Sequence, residues 1–130
     1  MAARRDQLEL NELEALEAPI EFLTENGYSI LRSWEIDGRP APANGTYTFV
    51  VRNEDESERE IIVTIAGDII TEVRYRTAGR VGPFSSFWIG SAERHLAEYL
   101  WEKEDYPEGN RLAVNQLDPD EIISALKWKA

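Results

Sequence analysis

The stretch from Glu58 to Thr77 leaves this chain the least freedom, because it reads as two β arms meeting at Ala66-Gly67-Asp68. Two turn lengths compete there, and the side chains decide between them. A two-residue turn at Gly67-Asp68 sets Val63 opposite Glu72 and Ile61 opposite Arg74, mixing core and solvent faces. A three-residue turn at Ala66-Gly67-Asp68 aligns Ile65 with Ile69, Val63 with Thr71 and Ile61 with Val73. It also places Glu60 across from Arg74 and Glu58 across from Arg76. Such cross-strand pairs contribute about 0.2–1 kcal/mol each, and a one-residue slip turns the apolar row outward, so the second register is expected. The densest basic stretch, Arg74, Arg76 and Arg80, is then scaffold, with only Arg80 unmatched.

The other elements arrange themselves around that expected hairpin. From Asp6 to Asn26 the residues Leu13, Leu16, Ile20 and Leu23 recur at steps of three and four, the spacing of one helical face. Pro19 either kinks this helix or starts a second one, and Asn26-Gly27 supplies a left-handed stop. Its outer side carries Glu9, Glu12, Glu14, Glu17 and Glu21, a strongly negative strip. Like charges one turn apart disfavour an isolated helix, so docking of the Leu/Ile stripe must hold it.

Tyr28–Ile36 and Thr46–Arg52 read as strands joined by a Pro/Gly-rich loop, with Tyr47, Phe49 and Val51 facing the core. The charged run Glu54-Asp55-Glu56-Ser57 makes the next turn. After the irregular segment 78–91, Ser91 or Ser85 caps a helix running to about Glu104, and Leu112–Leu117 forms a short fifth strand. Asp118-Pro119-Asp120-Glu121 combines an N-cap, a proline at the first helical position and an acid at the third, and it starts a last helix with Ile122, Ile123, Ala125 and Leu126 on its buried side. The expected order is α-β-β-β-β-α-β-α: an α+β fold with an antiparallel four- to five-stranded sheet and helices packed on one face. It forms one acidic domain over residues 1–130, with 1–5 frayed.

Composition narrows the possible functions. There is no cysteine and one histidine among 130 residues, so disulfides, thiol catalysis and Cys-based metal sites are excluded, and an ordinary zinc site lacks ligands. No apolar run approaches the roughly 20 residues of a membrane span, and no apolar secretory region follows Met1, so a cytoplasmic location is expected. Fourteen basic against twenty-five acidic residues give a net charge of −11, which argues against nucleic acid or an anionic membrane and for a basic protein or peptide. The acid is concentrated: residues 1–27 hold two basic and seven acidic groups, while residues 28–82 hold seven and nine.

Candidate sites are few. His95 is flanked by Ser85, Ser86 and Ser91, the ingredients of a Ser-His-acid set, but no nucleophile elbow surrounds any of these serines. His95, Arg80 and Tyr99 are the candidate lining of a pocket between the sheet and segment 78–91. Thr77–Pro83 lacks the spacing of a phosphate loop, and no cofactor is expected. Phe84, Phe87 and Trp88 form an aromatic group that is either core or the anchor of an interface, including one between two copies.

In element order the chain resembles the small acidic secretion chaperones and, less closely, cystatin-like folds. The expected function is a non-enzymatic acidic binding protein for a basic partner: an immunity-type inhibitor, an adaptor or a secretion-type chaperone. The competing expectation is a small-ligand-binding or enzymatic domain built around the pocket near His95.

Overall fold

The computed structural model of the protein describes residues 21–43, 45–55 and 57–129. Strands β1 (Glu21–Leu23), β2 (Ser29–Arg32), β3 (Thr46–Arg52), β4 (Glu58–Ile65) and β5 (Arg111–Val114) form one sheet in the order β1-β2-β3-β4-β5. Helical segments are α1 (Ser33–Ile36), α2 (Gly67–Arg76), α3 (Ser86–Lys103) and α4 (Pro119–Leu126). The α+β class agrees with the sequence, and the strand count of five does so only because β1 takes the place of the expected strand Ile69–Thr77. The sheet is mixed, however, because β5 runs parallel to β4 while the other pairs are antiparallel.

One local event explains that difference. The segment expected to be the second hairpin arm is helix α2, whose buried residues Ile70 and Val73 are followed by buried Thr77, at i, i+3 and i+7. That spacing places all three on one helical face, whereas the alternation of Ile69, Thr71 and Val73 suggested a strand. None of the expected hairpin pairs forms. Glu58 faces Arg52 on β3 at 2.8 Å, and Arg76 reaches Glu72 one turn back at 3.1 Å. Instead of doubling back beside β4, the chain runs through α2 and α3 and re-enters the sheet in the direction of β4. A parallel neighbour requires such a crossover.

The remaining differences lie at element ends. The strand expected over Tyr28–Ile36 stops at Arg32 and turns into α1, and the strand expected over Leu112–Leu117 is Arg111–Val114. Glu21–Leu23, expected to close the first helix, form the edge strand β1. Gly27 is left-handed as expected (φ 93°), but it serves the turn between β1 and β2. The rest of that expected helix, including Glu9, Glu12, Glu14 and Glu17, lies outside the described residues.

One sheet face carries the core. Ile30, Tyr47, Phe49, Val51, Ile61, Val63 and Ile65 are buried, and they share one apolar cluster with Ile70 and Val73 of α2, Trp88, Leu96 and Leu100 of α3, and Ala125 of α4. Period-two alternation puts the β3 and β4 residues on the same side, and burial of such side chains is worth roughly 1.5–3 kcal/mol each. Gly45 (φ 77°) is needed where the loop meets this core, because an added Cβ falls 2.8 Å from Ile70 Cδ1. The face also holds an ion pair: Arg32 at the end of β2 reaches Glu93 of α3, Nε to Oε2 3.1 Å. Among the described residues, no helix is long and apolar enough to cross a membrane.

Candidate functional site

Helix α3 positions His95 and much of the aromatic group. Ser85 caps it, its hydroxyl accepting from the Phe87 amide at 3.2 Å, and the buried stripe Phe87, Trp88, Ala92, Leu96 and Leu100 packs toward the sheet. The aromatic group named in the sequence divides here. Trp88 is 0% exposed and donates its indole N–H to the Gly82 carbonyl at 3.0 Å, and Phe87 is buried against Trp128, whereas Phe84 is 85% exposed. Phe87 and Trp88 are therefore core and unavailable to a partner; only Phe84 is presented.

His95 lies on α3 one turn after Ser91, and both reach the carboxylate of Glu121 on α4. Ser91 Oγ donates to Oε2 at 2.6 Å, His95 Nε2 lies 2.6 Å from Oε1, and the Asp118 amide donates to Oε1 at 3.1 Å. Glu121 is 3% exposed, a depth at which an ionised carboxyl needs such partners. Burial pushes its pKa up, but the hydrogen bonds from His95, Ser91 and the Asp118 amide outweigh burial and hold it below 4.5. The same bond to Glu121 raises His95 above 6.5 against the opposing effect of burial, with the charges of Glu121, Glu98 and Asp118 adding to it.

This geometry holds two helices together and does not make a nucleophile. The acid sits between Ser91 and His95, so it is the carboxylate and not the imidazole that adjoins the serine hydroxyl, unlike the order of a Ser-His-acid set. Ser85 is occupied as a cap. Ligand atoms of His95, Asp118 and Glu121 all lie within 4.8 Å of one another. Two ligands on one tetrahedral zinc stand roughly 3.3 Å apart, given bonds of about 2.0–2.2 Å. The 2.6 Å contact between His95 and Glu121 is too short for a metal to share, so a cation would have to break it.

Arg80 lines a cleft that neither His95 nor Tyr99 lines. Arg80 lies against residues 126–128, Nη1 donating to the Trp128 carbonyl at 3.1 Å and Nη2 to the Leu126 carbonyl at 2.9 Å, so its partners are carbonyls and not a carboxylate. Tyr99 is half-buried and lines none of the described cavities. What the sequence missed is a groove of about 430 Å³ between β1 and α3, lined by Phe22, Leu23, Ala97 and Trp101 with Glu25 and Glu98. Leu23 is 70% and Trp101 51% exposed. The β1–β2 turn is fastened at its edge by Asn26, whose Nδ2 donates to the Leu100 carbonyl at 3.0 Å. The spacing of Leu23 fits a helical stripe, which hides its place in the groove with Trp101.

No family model, no curated protein and no solved structure matches this chain, so its site is argued from its own geometry.

Proposed function

We propose that the protein is a binding domain for a basic, amphipathic segment of another protein, seated in the groove between β1 and α3. The observation that carries this reading is an apolar floor with an acidic rim: Phe22, Leu23 and Trp101 are exposed, and among the described residues the charged ones lining the groove are Glu25 and Glu98. Exposed aromatic and aliphatic anchors ringed by charge are the anatomy of an interface. Glu98 is held by Arg94 at 3.2 Å, a solvent-exposed pair that contributes little and is readily exchanged for a partner's cation. The net charge of −11 steers such a partner toward the domain. A second copy is the poorer occupant, because two acidic rims would meet.

The test uses the full chain as bait in extracts of its native host, followed by binding of the purified captured protein. The expected partner is basic, binds less tightly as salt rises, and loses about tenfold or more in affinity to the Leu23→Ser/Trp101→Ala variant. An acidic partner, salt-insensitive binding or an unaffected variant overturns the reading. So does light scattering that shows a dimer dissolved by the same two substitutions.

A further inference from the structure

The cleft where Arg80 meets residues 126–128 has the opposite character to the groove. It encloses about 320 Å³, and its lining includes Arg80, Phe84, Ser86, Trp128 and Lys129. The described residues that line it include two cations and no carboxylate, in a chain whose net charge is −11. Close charges dominate within a Debye length, about 10 Å at ordinary ionic strength, so the cleft attracts anions despite the sign of the whole.

Arg80 is fixed in place before any ligand arrives. Its Nε donates to the Thr77 carbonyl at 3.1 Å, Nη1 to Trp128 and Nη2 to Leu126. A guanidinium has five N–H groups, so three carbonyls leave one hydrogen on each terminal nitrogen uncommitted. Carbonyls are neutral, so this brace sets the position of the group without cancelling its charge. A guanidinium fixed in place with two N–H groups to spare suits a carboxylate or a phosphate, and it loses little freedom when it binds one.

The apolar walls define the rest of the ligand. Trp128 is half-buried against Phe87, ring centroids 5.5 Å apart, while the Phe84 ring stands exposed at the cleft. Single exposed apolar residues are ordinary on a surface. An exposed ring that shares a cavity with a second ring and two cations has the composition of a small-molecule site, with apolar walls and a few placed polar groups.

We propose that this cleft binds a small planar ring bearing one anionic group, a carboxylate or a phosphate, with the anion on Arg80 and Lys129 and the ring against Phe84 and Trp128. The site is separate from the groove and stands or falls independently of it. The test follows the Trp128 indole N–H of the isotope-labelled full chain by NMR during titration with benzoate and with adenosine monophosphate. Benzyl alcohol and adenosine serve as rings without charge, acetate and inorganic phosphate as charges without rings. At least one ring-bearing anion is expected to shift that signal saturably, about tenfold tighter than its neutral ring and its bare anion. Which of the two binds tells carboxylate from phosphate. Lys129→Gln and Phe84→Ala, both exposed and outside the core, are each expected to weaken binding several-fold while leaving the rest of the spectrum unchanged. The proposal is overturned if neither ligand perturbs Trp128, if the bare anions bind as tightly as the ring-bearing ones, or if both variants bind like the parent.

Discussion

His95 Nε2 stands 2.6 Å from Glu121 Oε1 and so ties α3 to α4 through a carboxylate that is almost wholly buried. His95 is raised above 6.5 by its bond to Glu121, so its contribution is complete below that value and is lost as pH rises through the folded-state pKa. Glu121 is held below 4.5, so its contribution is present above that value and is lost as pH falls through its own lowered pKa. Both shifts report one interaction, so it is strongest between about pH 4.5 and 6.5 and weakens on either side. His95→Ala is expected to cost about 1–3 kcal/mol inside that window, by urea unfolding, and less at alkaline pH. An equal loss at both pH values would show that His95 acts by packing alone.

The division of the aromatic group gives a second contrast. Trp88→Ala removes a fully buried ring and leaves the Gly82 carbonyl without its donor, so a loss of about 3–5 kcal/mol is expected. Phe84→Ala removes a ring that is almost entirely in water and is expected to change stability by about 0.5 kcal/mol or less. Thermal unfolding of the two variants checks this; comparable losses would mean that Phe84 is covered.

The ion pair between Arg32 and Glu93 offers a third test. Glu93 is buried and Arg32 half-buried, with Glu35 a further 3.7 Å neighbour of the guanidinium. Removing one partner of a buried pair strands the other, whereas replacing both by apolar residues of similar size is often neutral. Arg32→Met alone, which strands the buried Glu93, is expected to cost about 2–4 kcal/mol, and Arg32→Met/Glu93→Leu about 1 kcal/mol or less. Denaturant unfolding of the single and double variants measures this, and additive losses would contradict it.

These sites differ in how far the sequence disclosed them. Tyr47, Phe49 and Val51 were legible because β3 lies in the middle of the sheet with that face on the core, and Asp118-Pro119-Asp120-Glu121 marked the start of α4 because a capping box is local chemistry. What was not legible is what depends on distant contacts. Glu121 looked like an ordinary helix-start acid, and its burial came from Ser91 and His95, 30 and 26 residues away. The groove was hidden in the same way, since Leu23 and Trp101 come to line one cavity only because β1 lies at the sheet edge beside α3. The parallel strand escaped because β-branched Ile69, Thr71 and Val73 fit a strand as well as a helix over so short a run.

The helical identity of 67–76 is itself testable at residues where strand and helix demand opposite things. In a hairpin Thr71 would face the core and Ile70 the solvent; in α2 Ile70 is buried and Thr71 exposed. Ile70→Ala is therefore expected to cost about 2–4 kcal/mol and Thr71→Ala about 0.5 kcal/mol or less. Thr77 closes the helix with a buried hydroxyl that donates to the Val73 carbonyl at 2.8 Å and accepts from the Val81 amide at 3.1 Å. Thr77→Val keeps the shape but leaves the Val81 amide without an acceptor, so it is expected to cost about 1–3 kcal/mol. Urea unfolding of the three variants decides the matter, because a strand would reverse the order of Ile70 and Thr71.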